Sequence, residues 1–191
     1  VAIKVLSADM AFDKTAIKRF MHEARATSRV EHPGLVRLLA YGQTDAGWPY
    51  IMMEFLDGES LRSRLEQRGR FPINSAIRLM RDMGVALVAA HNKGIIHRDL
   101  KPDNLMLIAN TSTSTEDNIK ILDFGIAKIV EATGQETVPG FKTATGAIMG
   151  TPRYMSPEQC PDMSDVDGKT DVYSLGVVLF ETLTVRSLCH A

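Results

Sequence analysis

Two aspartates and an asparagine, set in short runs with a histidine, an arginine and a lysine, are the residues of this chain best suited to chemistry. They stand in His97-Arg98-Asp99-Leu100-Lys101-Pro102-Asp103-Asn104 and in Asp123-Phe124-Gly125. Asp99, Asn104 and Asp123 carry hard oxygen donors, the ligand type that Mg²⁺ takes. An aspartate not committed to a metal can accept a proton. Lys101 sets a positive charge close to Asp99. Any one of these residues alone would read as a solvated loop charge. All of them in this order point to a metal-assisted acid–base site.

These residues need a frame to hold them. Val1 to Leu6 alternates and predicts a strand. Asp13 opens a helix to about Val30, with Ile17, Phe20, Met21 and Ala24 on one face, and His32-Pro33-Gly34 ends it. Leu35 to Tyr41 and Tyr50 to Phe55 predict two further strands. Past Gly58 the pattern turns helical. Ser60 can cap a short helix that Gly69 stops. A long helix is predicted from Ile73 to Asn92, with Ile77, Met80, Gly84, Leu87, Val88 and His91 recurring at helical spacing. Two short strands between Leu105 and Leu122 flank a Ser/Thr-rich insert, Asn110 to Asn118. Ile126 to Ser164 has little periodicity, and so long an irregular stretch is more often functional than incidental. A last helix, Asp171 to Thr184, places Val172, Leu175, Gly176, Leu179, Phe180 and Leu183 together. Strands followed by helices predict a two-lobed α+β protein with a cleft between the lobes, the boundary falling at Leu56 to Glu59.

Composition narrows the class. Of 191 residues, 45% are apolar and 24% charged, which excludes a disordered or fibrous chain. The net charge of −1 provides no global field towards nucleic acid or an anionic membrane. Arg62, Arg64, Arg68 and Arg70 alternate with Glu59 and Glu66, which reads as a solvated helix face. The apolar stretch Gly84 to Ala90 is far too short to span a bilayer. Cys160 and Cys189 have no metal-type or redox pairing, so free thiols in a reducing, cytoplasmic setting are expected.

The runs 97–104 and 123–125 resemble the signature of the protein-kinase superfamily, with further matches along nearly the whole chain. Val1-Ala2-Ile3-Lys4 is similar to the strand bearing that family's ATP-contacting lysine, and Ser156-Pro157-Glu158 stands where Ala-Pro-Glu is usual. The resemblance implies ATP and Mg²⁺ as cofactors and a role for each matching residue. Asp99 would orient the substrate hydroxyl and take its proton, with Lys101 beside it. Asn104 and Asp123 would hold Mg²⁺. Lys4 would meet the phosphates and pair with Glu23, favoured over Glu31 because it lies within the patterned helix. Tyr50 to Gly58 resembles the hinge: Glu54 and Leu56 would offer backbone bonds to adenine and Met53 would back the pocket. Ala2 and Leu107 would sandwich the ring. His97, Arg98, Phe124, Gly125, Glu158 and Asp171 would serve as structural supports, Asp171 bracing the loop around Asp99.

Lys101 and the Gly150 to Glu158 segment resemble the form specific for Ser and Thr of proteins, in the bacterial (Hanks-type) branch. They argue against a small-molecule substrate. Arg98 beside Asp99 points to control by phosphorylation, with Thr143 and Thr145 as candidate sites and self-association as the route to their modification. The family's Gly-rich loop should precede Lys4, but no Gly-x-Gly-x-x-Gly occurs. With Val1 inside a strand and Ala191 uncapped, the chain reads as a partial kinase domain. Residues 1–56 are then a partial N-lobe and 57–191 a partial C-lobe, cut at both ends. This stretch alone is expected to transfer little phosphate. The alternative is a short kinase-like module that binds partners without catalysis.

Overall fold

Exposed and half-buried residues alternate along Ala2–Val5, as a strand with one solvated face requires, and this is β1. The computed structural model describes residues 1–6, 14–109, 117–123, 152–159 and 166–186; of residues 14–16, 19, 23, 26 and 152 it describes the backbone alone. The helix α1, Lys14–Thr27, follows, then β2, Leu38–Gln43, and β3, Pro49–Met53. These strands form an antiparallel sheet in the order β1-β3-β2, with Ala2 opposite Met53 and Lys4 opposite Ile51. α1 covers the sheet through Phe20 and Ala24, which bury against Ile51. Leu35 was expected in the second strand, but β2 begins only at Leu38. Leu35 instead makes a lone parallel bridge to Ile121 and is drawn into the larger core.

The second sheet is β4-β5-β6, with β4 at Gly58–Ser60, β5 at Leu105–Ala109 and β6 at Asp117–Ile121. A Cβ on Gly58 would lie 2.1 Å from the Leu107 carbonyl oxygen, so only glycine lets β4 approach β5 this closely. α2, Leu61–Arg68, starts where the Ser60 hydroxyl accepts the Ser63 N–H at 3.0 Å, and it stops at Gly69, whose φ of 75° a side chain would strain. α3, Ile73–His91, and α4, Lys169–Thr184, pack against each other and enclose the main core with Leu61, Leu65, Leu100, Leu105, Leu107 and Ile121.

The long helices bury faces rotated from those their apolar spacing predicts, α3 in part, since Met80 and Leu87 are buried as expected, and α4 further. α3 turns Ala76, Leu79, Met80, Met83, Ala86, Leu87 and Ala90 inward and leaves Ile77 and Val88 more than half exposed. Ala86 and Gly34 face each other closely: a Cβ on Gly34 would lie 2.9 Å from that of Ala86. α4 departs further. Its buried side carries Thr170, Asp171, Ser174, Glu181 and Thr182 with Val177 and Val178, while Val172 is 63% exposed. Polar atoms on that side have buried partners to satisfy, and those bonds decide the helix's rotation. Leu175 and Leu179 pack at the edge of the core. Among the described residues no helix is long and apolar enough to cross a membrane.

Candidate active site

The run 97–104 leaves α3 and hangs on one carboxylate. Asp171, fully buried in the first turn of α4, accepts the backbone N–H of His97 at 2.9 Å and of Arg98 at 2.8 Å, and its Oδ2 lies 2.7 Å from His91 Nε2. Two loop amides that would otherwise be orphaned in the core are thereby satisfied. Arg98 holds a φ of 62°, in the left-handed region, and its carbonyl accepts the Gln159 side-chain amide at 2.8 Å. A non-glycine residue stays in that region only when its surroundings over-determine it.

His97 ties the two chemistry-bearing runs together. Its Nε2 donates to the Leu122 carbonyl at 2.8 Å, and its Nδ1 accepts the Asp99 N–H at 3.3 Å. Complete burial pushes its pKa below the ordinary value, so the ring is neutral, with the proton on Nε2. The Leu122 N–H donates to the Asn104 carbonyl at 2.8 Å, a second link between the loop and the segment that ends in Asp123.

Asp99 is half-buried, and its Oδ2 faces Lys101 Nζ at 3.0 Å. The Asn104 amide nitrogen donates to the Asp99 carbonyl at 2.8 Å and to its carboxylate at 3.2 Å. That orientation leaves the Asn104 Oδ1 as the amide's oxygen donor. Across the gap, Lys4 Nζ meets Asp123 Oδ2 at 2.9 Å, with both side chains 38% exposed. Asp123 also has a positive φ, 30°. Among the described residues no group of three or more His, Cys, Asp and Glu is placed to hold a metal ion. A cation here would draw on Asp123, the Asn104 amide oxygen, water and the oxygens of its ligand. That donor set suits Mg²⁺, which is usually held by one or two carboxylates beside phosphates and water.

The strip from Met53 to Leu56 runs between the two sheets. Met53 packs on the small core, Leu56 is half-buried, and the Glu54 N–H donates to the Arg37 carbonyl at 3.0 Å. Of the Glu54 backbone groups, its carbonyl is the one left to offer a ligand. Ala2 lies opposite Met53 on β1, and Leu107 is buried in the middle of β5.

The whole chain, residues 1–191, matches the protein kinase domain family. The chain belongs to that family. It is 42% identical over 187 residues to the serine/threonine-protein kinase PknB of Mycobacterium tuberculosis, covering 96% of this chain and 28% of that protein. It is 39% identical over 186 residues to the serine/threonine-protein kinase pkn3 of Myxococcus xanthus, covering 96% of this chain and 32% of that one. The chain thus spans about a third or less of the length of these curated relatives. Its fold matches the crystal structure of the M. tuberculosis PknI kinase domain with a TM-score of 0.73 and 26% identity, over 99% of this chain and 64% of the other. The α+β kinase fold follows from these matches.

Among the residues that kinase resemblance singles out, Phe124, Gly125, Thr143 and Thr145 lie outside the described residues, as do Cys160 and Cys189. Glu23 lies on α1, and its side chain is likewise outside the description. Glu158 accepts the Thr170 hydroxyl at 3.2 Å; its own backbone N–H, with smaller help from the Ser156 and Thr170 side chains, holds the carboxyl below its ordinary pKa.

The solvated arginine face holds for Arg68 and Arg70, which are exposed, but not for Arg62 and Arg64. Arg64 is only 16% exposed and pairs with Glu59 at 2.7 Å and Asp117 at 2.8 Å. Arg62 reaches Glu181 at 2.7 Å and also bonds the Tyr154 hydroxyl, which in turn donates to Glu181. Burial works against the Arg62 charge, but these bonds outweigh it and raise its pKa. Burial and the Glu181 bond push the Tyr154 phenol up to about 12. Arg62 and Glu181 stand 119 positions apart, so no sequence spacing announces their pairing.

Proposed function

We propose that this chain transfers the γ-phosphoryl group of ATP to Ser and Thr hydroxyls of protein substrates. The observation that carries this is the joining of Asp99, Asn104 and Asp123 through His97 and the Leu122–Asn104 bond, with Lys4 facing Asp123. In this reading residues 1–56 form the smaller lobe and 57–191 the larger. Ala2 and Leu107 enclose the adenine, Met53 backs it, and the Glu54 carbonyl and Leu56 backbone bond it. Asn104 and Asp123 hold Mg²⁺, which supplies charge neutralisation at the phosphate oxygens when bound.

The substrate oxygen attacks the γ-phosphorus, the bond to the β-phosphate oxygen breaks, and ADP leaves. The hydroxyl proton passes to the Asp99 carboxylate, which Asn104 orients through both its backbone and its side chain. Lys4 turns from Asp123 towards the α- and β-phosphates, with Glu23 as its partner on α1. Lys101, at 3.0 Å from Asp99, offsets charge where the phosphoryl group arrives. Thr143 and Thr145 serve as phosphate acceptors that tune activity, one copy of the chain acting on another.

The test uses the natural gene product carrying this sequence, γ-labelled ATP, Mg²⁺ and a Ser/Thr-containing protein acceptor. Label is expected on Ser or Thr, and Asp99→Asn should lower transfer about 10²- to 10⁴-fold with an unchanged unfolding midpoint. Absence of transfer by the parent, or full activity in Asp99→Asn, would overturn the reading.

A further inference from the structure

A second ion pair, besides Lys4–Asp123, joins the two sheets. Lys120, on β6, bonds Glu54 Oε1, and the same oxygen accepts the Arg37 backbone N–H at 2.7 Å. Glu54 returns its own N–H to the Arg37 carbonyl at 3.0 Å. Glu54 is thus held at its amide and at its carboxylate, by the strand entering β2 and by β6. Burial alone would raise the Glu54 carboxyl; the bonds from Lys120 and Arg37 outweigh it and hold its pKa below the ordinary value. The pair is well covered, with side-chain exposures of 19% and 23% against 38% for both partners of Lys4–Asp123.

The position of Lys120 gives the pair its meaning. In the β5–β6 register Lys120 stands opposite Met106, one step from the Leu107–Ile119 pair, and three residues before Asp123. One short segment therefore ties down Glu54 with its strand and presents Asp123 with its end. Behind the pair opens a groove of about 450 Å³, lined by Glu31, His32, Val36 and Arg37 beside Glu54 and Lys120. The pair is part-buried and is more than a surface ion pair. What it fixes is orientation.

We propose that Lys120 is a positioning residue for nucleotide recognition, holding Glu54 so that its carbonyl faces the 6-amino group of adenine. This rests on the hinge reading given above. Lys120 touches neither nucleotide nor phosphate; it acts through Glu54. Without the ammonium, the carboxylate keeps the Arg37 N–H but loses its anchor on β6. The carbonyl is then free to swing, and the bond to the 6-amino group is the one that weakens.

The experiment compares ATP with purine riboside triphosphate, which lacks that amino group, as phosphoryl donors for the natural gene product. The parent should prefer ATP in KM. Lys120→Met should raise the KM for ATP about 3- to 10-fold, the worth of one net hydrogen bond, leaving the KM for the analogue and kcat within about twofold. Lys120→Arg should restore the preference, and Glu54→Gln should lose it as Lys120→Met does. Equal rises in both KM values would make Lys120 a merely structural residue and overturn the proposal, as would no change in either. A parent that binds ATP but shows no preference would overturn the contact between the carbonyl and the amino group. A parent that binds no nucleotide would overturn the phosphoryl-transfer reading and this proposal with it.

Discussion

The two sides of the cleft are built to different standards. The loop at 97–104 is fixed by buried polar bonds: two amides and a histidine on Asp171, a neutral histidine bridging to Leu122, and an asparagine locked onto Asp99. Behind it lies a continuous core of aliphatic side chains from α2, α3, α4, β5 and β6. The opposite side presents Lys4 from β1, whose residues alternate between exposed and half-buried, near a smaller cluster in which Phe20, Ala24 and Ile51 are buried among the described residues. A phosphoryl-transfer site needs its proton acceptor and metal donors in place beforehand, because reorganising charges during the reaction is slow. Its roof must yield to admit the nucleotide. The difference in packing matches that division of labour, and each prediction below probes one side of it.

The largest effect is expected at Asp171. Asp171→Ala leaves the N–H groups of His97 and Arg98 buried without an acceptor, at about 1–3 kcal/mol each, so the loss should reach about 3 kcal/mol or more. Urea unfolding checks this. A loss under about 1 kcal/mol would mean that the loop finds other partners, and the contrast between the two sides would weaken. Next comes Gly58, the joint where β4 meets β5. A methyl group there overlaps the Leu107 carbonyl, so Gly58→Ala must push the strands apart, at about 1–3 kcal/mol by the same denaturation measurement. Because Leu107 floors the proposed adenine pocket, ATP affinity should fall alongside.

The third prediction concerns pH. The folded state resists protonating His97, whereas the unfolded chain protonates it below the ordinary histidine value of 6.5. The unfolded state therefore binds more protons below that value, and stability falls as pH drops through it; above it His97 is neutral in both states and contributes no slope. His97→Asn should flatten the dependence of unfolding free energy on pH between about 5 and 6.5, relative to the parent. An unchanged slope would mean that the ring takes up its proton while folded.

How much of this was legible in the sequence depends on the range of the interaction. β1, β3, β5, β6, the Ser60 cap and the Gly69 stop rest on local preferences and were readable, and the run 97–104 was readable through its family resemblance, whereas β4 and the start of β2 at Leu38 were not. Nor was the rotation of α4. Its apolar stripe, Val172, Phe180 and their neighbours, advertises a buried face, but Asp171 and Glu181 face inward because loop amides, Tyr154 and Arg62 wait there. Those partners are distant in sequence, and polar satisfaction outweighs an apolar pattern at a buried position. The same reason hid the Lys120–Glu54 pair, whose members look like ordinary strand charges until the two sheets are brought together. The candidate residues and the Asp171 brace were named through the family resemblance, while the Arg62–Glu181–Tyr154 bonds and the Lys120–Glu54 pair became visible only through the fold.

The smallest effect on stability is expected where the proposed function leans hardest. The Lys4–Asp123 pair is more than a third exposed on both sides, and ion pairs so placed contribute about 0–1 kcal/mol. Lys4→Met should therefore shift the urea midpoint little, and its aliphatic chain keeps the β1 packing. Affinity for ATP with Mg²⁺ should nevertheless fall at least tenfold, since the phosphates lose their cation. Calorimetric titration beside the unfolding curve separates the two quantities. A variant that unfolds as readily as Asp171→Ala would place Lys4 among the structural supports of the fold. A variant that keeps its affinity would place the phosphates elsewhere. A stable protein with lost affinity would mark the exposed side of the cleft as the one that receives the ligand, and the buried side as the one that waits for it.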